Sequence, residues 1–209
     1  MPLVELAFPI QGRTLPENNG YSLYAAISRA LGGHLPDGVA MSSVGGTPLG
    51  GWRIGLDRAS WLRLRLPSER IGEVLGLAGK LLDVGGHEVG LGVPQIRALA
   101  TAPTLASRLV TIKGFTDPGP FLEAASRQME AIGIAGRPSI PLLTSGPRTG
   151  LPNRRILRIK GIAIVGFAMI VEGLSTEDSS RLLTSGLGGR RRMGCGIFSP
   201  IPDSRGGQR

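Results

Sequence analysis

The segment Gly186-Leu187-Gly188-Gly189-Arg190-Arg191-Arg192-Met193-Gly194-Cys195-Gly196-Ile197-Phe198 concentrates residue types that can hold a phosphate. Glycines allow positive φ and let backbone N–H groups approach phosphate oxygens, while Arg190, Arg191 and Arg192 supply forked, permanently charged donors. No Gly-Lys-Ser/Thr follows, and the pattern puts a helix before the loop rather than after it, so this is not a Walker loop. A solvated Gly/Arg turn is the plain alternative. Arg154, Arg158 and Lys160 share one face of a strand, with Arg155, Leu157 and Ile159 on the other. That basic face reads either as solvated or as a contact for an RNA backbone, and the scarcity of nearby acids favours RNA.

Proton transfer near neutral pH is work for histidine, and the chain has two, His34 and His87. Cleavage of RNA without a metal lets the ribose 2′-OH attack the adjacent phosphorus, leaving a 2′,3′-cyclic phosphate and a free 5′-OH. It needs a base for the hydroxyl proton, an acid for the leaving oxygen and a cation for the phosphorane. His34 is the favoured candidate, because it follows Gly32 and Gly33 beside a helix carrying Tyr21 and Tyr24. His87, after Gly85 and Gly86, reads more simply as a turn residue at a strand start. The two tyrosines read first as core or RNA-positioning residues and second as catalytic ones.

Composition sets the outer limits. With 24 basic and 15 acidic residues in 209, the net charge is +9, and arginine far outnumbers lysine. A polyanion is the expected partner, nucleic acid ahead of an anionic membrane surface, since no basic amphipathic helix is seen. The longest apolar run, Ile162 to Val171, is too short to span a bilayer, and the first residues lack a secretory pattern. A single cysteine excludes an intramolecular disulfide and fits the cytoplasm. Two histidines and one cysteine argue against a zinc site, so the expected chemistry uses neither metal nor cofactor. Aromatics make up only 4%, so RNA binding should rest on charge more than on stacked rings.

The elements that must carry these residues follow from periodicity. Leu3 to Ile10 reads as a strand. Leu23, Ala26, Ile27, Ala30 and Leu31 recur at helical spacing until Gly32 and Gly33. Trp61 to Leu66 alternates, with Leu62, Leu64 and Leu66 facing one way and Trp61, Arg63 and Arg65 the other. Ser68 is the expected cap of a helix over Ile71, Val74, Leu75 and Ala78. Strands are expected over Glu88 to Val93 and over Leu105 to Lys113, the latter bridging two halves. Asp117-Pro118 starts a helix that buries Phe121, Leu122, Ala125, Met129 and Ile132. Residues 133–150 read as loop. A hairpin joins Arg154–Lys160 to Ile162–Val171 through Gly161. Ser175 and Asp178 resemble a capping box for a helix ending at Gly186. A last strand near Cys195 to Ile201 precedes a polar tail. Two strand–helix–strand–strand–helix–strand units predict an α+β chain of two tandem ferredoxin-like (RRM-like) domains, 1–104 and 105–209, similar in pattern but not in sequence.

The loop GLGGRRRMGCGIF resembles the C-terminal glycine-rich motif of the repeat-associated RAMP proteins, specifically the Cas-six group of CRISPR endoribonucleases. VELAFPIQGRTLP, NGYSLYAAISRALGGHLP, RLVTIKGFTDPGPFLEAASRQ, RILRIKG and VGFAMIVEGLS resemble blocks of its Myxan-type subgroup, over most of the chain. This resemblance implies tandem ferredoxin-like domains and recognition of the repeat stem-loop of precursor CRISPR RNA. It implies cleavage at the 3′ base of the stem, with the product often retained among other subunits of an interference complex. It also implies a catalytic histidine after the first helix, where His34 stands. The subgroup is expected to carry a histidine just before the Gly-Tyr pair, and here Asn19 occupies that place. A non-cleaving RAMP subunit is therefore the alternative reading. A generic pair of RRM-like sheets lacks support, because no strand has the aromatic pattern that stacks bases. A phosphate-metabolite enzyme would leave the basic strand unexplained.

Overall fold

The computed structural model describes residues 2–201, and the polar tail expected after Ile201 lies outside them. Contacts divide the chain into two compact units. Of the described residues, the first holds 2–99 together with 156–164 and 190–195; the second holds 100–155, 165–189 and 196–201.

The chain through Leu99 runs β1 (Leu3–Gln11), β2 (Thr14–Pro16), α1 (Gly20–Ala30), β3 (Ala40–Met41), β4 (Thr47–Gly50), β5 (Arg53–Gly55), β6 (Trp61–Pro67), α2 (Ile71–Leu75), β7 (Leu81–Asp83), β8 (Glu88–Leu91) and β9 (Gln95–Ala98). β1 pairs antiparallel with β6, setting Leu6 opposite Leu64 and Phe8 opposite Leu62, and with β9 on its other edge. β3 adds outside β6. The order β3-β6-β1-β9 is second, third, first, fourth in a strand–helix–strand–strand–helix–strand unit, which is the ferredoxin-like arrangement. β8 and β7 extend the sheet at the end of β1. Leu23, Ala26 and Ile27, three and four apart on α1, are buried in one core with Leu6, Phe8, Leu62, Leu64 and Leu66. Each such side chain removed from water is worth about 1.5–3 kcal/mol. β2, β5 and β4 form a small separate sheet, with β4 and β5 in the glycine-rich stretch between α1 and β6.

Beyond Leu99 come β10 (Thr104–Val110), α3 (Pro118–Ala131), β11 (Arg137–Ser139), β12 (Arg154–Ile159), β13 (Ile162–Glu172), α4 (Thr176–Ser185) and β14 (Ser199–Pro200). The order β11-β13-β10-β14 repeats the pattern of the first sheet, with β12 added beside β13. Phe121 of α3 meets Phe167 of β13 with ring centroids 4.8 Å apart. No helix among the described residues is long and apolar enough to cross a membrane.

Several local expectations are corrected. β10 pairs with β13 and β14, and the fourth strand beside β1 is instead β9, whose residues are mostly exposed and give no alternation to read. The 133–150 loop contains β11, hidden by Pro138 on a short strand. Ser68 opens a 3-10 turn without a side-chain cap, and α2 stops at Leu75. Asp117 stands at the N-cap of α3, but its carboxylate makes no cap bond; its carbonyl accepts from Phe121. Ser175 Oγ accepts from the Asp178 amide as expected, while the Asp178 carboxylate turns to the Ser175 hydroxyl rather than its N–H. The last strand shrinks to two residues because Leu187 and Gly196 bond to each other instead.

Candidate nucleic-acid interface

Three consecutive residues build the start of α1. Asn18 donates through Nδ2 to the carbonyl of Ile156. Asn19 is fully buried: Nδ2 donates to the carbonyls of Pro16 (3.1 Å) and Val44 (2.9 Å), and Oδ1 accepts from the Val44 amide (3.0 Å). Its side chain ties two loops together and does not cap the helix. Gly20 follows because nothing larger fits, since a Cβ there would lie 2.2 Å from the carbonyl oxygen of Met193.

That carbonyl belongs to the arginine-rich turn. Arg190 (φ +62°) and Gly194 (φ +82°) bracket a 3-10 turn over Arg191–Met193, and the Arg190 carbonyl accepts from the amides of Met193 and Cys195. A Cβ on Gly194 would stand 2.8 Å from the Ser43 nitrogen. The turn is thus held by the start of α1 on one side and by the residues after β3 on the other. Buried Cys195 anchors its exit.

Charge collects at this place. Arg65 projects from the β6 face opposite Leu64, yet it is only 4% exposed, and its Nε donates to Glu5 Oε2 at 3.3 Å. Burial pulls the Arg65 guanidinium below its ordinary pKa; the Glu5 charge and hydrogen bond oppose this, and the charges of Arg63 and Arg191 reinforce it. Burial lowers Arg191 likewise. Guanidinium groups close enough to perturb each other, with one carboxylate among them, make a positive field suited to a polyanion.

A helix-ending motif delivers the chain to His34. Gly32, at φ +80°, donates to Arg29, and Gly33 donates to Ser28, the paired bonds of a Schellman motif. His34 is exposed, while Leu35 beside it is fully buried and pins the loop. Three residues on, Asp37 forms an ion pair with Arg192. The loop that carries His34 therefore lies beside the arginine turn, joined to it by an exposed ion pair. Tyr21 is half-buried next to Gly20, whereas Tyr24 packs against the hydrophobic core.

The second basic feature is the β12–β13 hairpin. Lys160 (φ +47°) and Gly161 (φ +84°) are its two turn residues, both left-handed as a type I′ turn requires. Arg154, Arg158 and Lys160 are exposed, and Leu157 is buried, matching the two faces read from sequence.

Comparison with known proteins places this geometry. A sequence model of the Cas6 family, described as Cas6 Crispr, matches residues 4–203. The CRISPR-associated endonuclease Cas6 of Myxococcus xanthus (strain DK1622) is 38% identical over 205 residues, spanning 96% of this chain and 82% of that relative. The chain belongs to the Cas6 family. Among solved structures, a CRISPR associated protein Cas6 superposes with TM-score 0.68 at 14% identity, covering 95% of this chain and 98% of that one. A RAMP protein described as binding different RNA substrates superposes at 0.60 and 15% identity, over 96% and 100% of the two chains. The likeness establishes the Cas6 fold of two ferredoxin-like domains.

Within this Cas6-family chain the glycines of the loop serve packing. The amides of Gly186, Gly188, Gly189, Gly194 and Gly196 donate to Leu182, Gln128, Thr111, Arg191 and Leu109 respectively. A Cβ on Gly188 or Gly196 would strike the carbonyl of Thr111 or Leu187, at 2.3 Å and 1.9 Å. The N–H groups that the sequence offers to phosphate are thus engaged in internal bonds. His87 is a turn residue, its Nδ1 2.8 Å from Thr14 Oγ1. Sequence reasoning missed Asp37, which looks like an ordinary Pro-Asp-Gly turn, and Arg65, which looks like a solvated strand residue. It also missed the tying role of Asn19. Only the facing carboxylate at Glu5 could have signalled that Arg65 is buried.

Proposed function

We propose that this chain is an endoribonuclease that binds the repeat stem-loop of precursor CRISPR RNA and cleaves it without a metal. The ribose 2′-OH attacks the adjacent phosphorus, and the product is guide RNA ending in a 2′,3′-cyclic phosphate. His34 takes the hydroxyl proton, Arg190–Arg192 steady the phosphorane, and Tyr21 and Tyr24 are the further catalytic candidates. Arg154, Arg158 and Lys160 hold the RNA backbone. Domains 1–104 and 105–209 divide the labour along the sequence, the first with the catalytic residues and the second with the glycine-rich loop, although its Arg190–Cys195 turn packs within the first compact unit. The protein acts in the cytoplasm, where other subunits of a CRISPR interference complex are its further partners.

The observation that carries this reading is the ion pair between Asp37 and Arg192, which joins the loop of the exposed His34 to the arginine turn. The Myxococcus relative bears the name of an endonuclease, which favours cutting over binding alone. A single-turnover assay on labelled repeat RNA in EDTA tests it. We expect cutting by the wild-type chain, and loss of cutting with unchanged RNA affinity in His34→Ala. A strict need for a divalent ion would overturn the mechanism. One observation favours the binding-only alternative. Asn19 stands where the subgroup is expected to carry a histidine, and all its hydrogen bonds go to backbone. Tight binding without cutting by the wild-type chain would establish that alternative.

A further inference from the structure

The chain has nine aromatic side chains, and Trp52 is the exposed one, the others being buried or half-buried. It is 83% exposed, the most exposed of the large hydrophobic side chains among the described residues. It sits at the tip of the β4–β5 hairpin, where Gly50, Gly51 and Trp52 take φ of +76°, +58° and +60° in succession. A bulky L-residue in the left-handed region is an outlier, and this one is held there. Gly50 pairs with Arg53 across the turn, and the Trp52 carbonyl accepts from the Glu17 amide at 2.8 Å. The backbone is fixed while the indole reaches into solvent.

Its cationic neighbour is Arg53, while Glu17 bonds the Trp52 carbonyl through its amide. The Arg53 guanidinium folds back over the turn, with Nε 3.7 Å from where a Cβ on Gly51 would be. The hairpin also has a defined root. Ser43 presses on Gly194 of the arginine turn, Val44 is gripped by Asn19, and β4 starts at Thr47. At about 3.3 Å per residue, the four residues of β4 carry the tip roughly 13 Å from that root.

We infer that Trp52 is a base-stacking residue, which receives an unpaired nucleobase of the RNA bound at the arginine turn while Arg53 meets the adjoining phosphate. The inference rests on the RNA-binding reading above. An exposed indole offers a π-face to any base, and a guanidinium beside it answers the backbone charge, the combination found in sequence-tolerant single-strand binding.

The test uses the full chain and repeat RNA with an unpaired flank. Trp52→Ala should weaken binding about tenfold, the scale of one stacked base, and Trp52→Phe should largely restore it. Because the chain has two tryptophans, Trp61→Phe leaves Trp52 as the sole indole. Saturating RNA should then quench its emission. Unchanged affinity in Trp52→Ala, with emission unmoved by bound RNA, overturns the inference and leaves the RNA-binding reading standing. No RNA binding by the wild-type chain overturns both. Self-association that Trp52→Ala abolishes, with no response to RNA, assigns the ring to a protein contact and also overturns it.

Discussion

Two regions of this Cas6-family chain offer cations in opposite ways. The turn over Arg190–Cys195 is shaped from outside itself, because Gly20 and Ser43 press on it and Asp37 grips Arg192. The β12–β13 hairpin is shaped from within, by Lys160 and Gly161 adopting a type I′ turn between alternating strand residues. The first arrangement fixes where charge lies at the cost of depending on distant residues. The second depends on two residues and leaves its long side chains exposed. A bound RNA would gain more from the first, since less ordering remains to be done on binding.

The comparison breaks most visibly at the glycines. Gly20→Ala drives a Cβ into the Met193 carbonyl, and backbone cannot rotate away as a side chain can. We expect a loss of about 1–3 kcal/mol, read as a lowered melting temperature, accompanied by weaker RNA binding. Gly161 has a positive φ of its own but nothing within 4 Å of its Cβ position. Gly161→Ala should therefore cost only about 1 kcal/mol, the strain of the turn itself, and leave the arginine turn untouched. Equal losses in the two variants would mean that the clamp around Met193 is slack.

This contrast also explains what the sequence could and could not reveal. The hairpin was legible because its code is local: alternation of Arg154, Arg158 and Lys160 against Leu157, then a glycine. α1 was legible for the same reason, with Leu23, Ala26 and Ile27 on one stripe and Gly32 at its end. The arginine loop was legible as a place of concentrated charge but not as geometry. Its glycines looked like phosphate donors, and only tertiary contacts with Thr111, Gln128 and Leu109 show their amides engaged. Asn19 and Arg65 were missed on similar grounds. A polar residue signals burial only when its partner is known, and Val44 and Glu5 lie far from them along the chain. β9 was missed because an exposed strand has no apolar face to betray it.

Charge removal sharpens the comparison next. Each phosphate contact on a single strand contributes about 0.7 to the slope of log affinity against log salt. Replacing Arg190, Arg191 and Arg192 together with alanine should flatten that slope by about 2, and replacing Arg158 and Lys160 by about 1.4. Binding isotherms across a salt series measure both. If the hairpin pair flattens the slope more than the turn does, preorganisation does not decide where the RNA backbone sits.

The smallest effect separates shape from charge within one residue. Lys160 holds φ +47° without being glycine, and Arg190 holds φ +62° in the same way. Asparagine tolerates that region better than either, so Lys160→Asn should stabilise the chain by about 0.5 kcal/mol. It should still lower the salt slope by about 0.7, because a cation has gone. Arg190→Asn offers the same backbone relief, but the Arg190 carbonyl already accepts from Met193 and Cys195 and enforces the conformation. Its loss should weaken RNA binding more than the loss of Lys160 does, at a similar gain in stability. Chemical denaturation and binding measured on the two variants side by side decide this. Matching losses of affinity would show that the clamped turn and the exposed hairpin hold RNA equally well, and that the clamp around Gly20 serves the fold rather than the ligand.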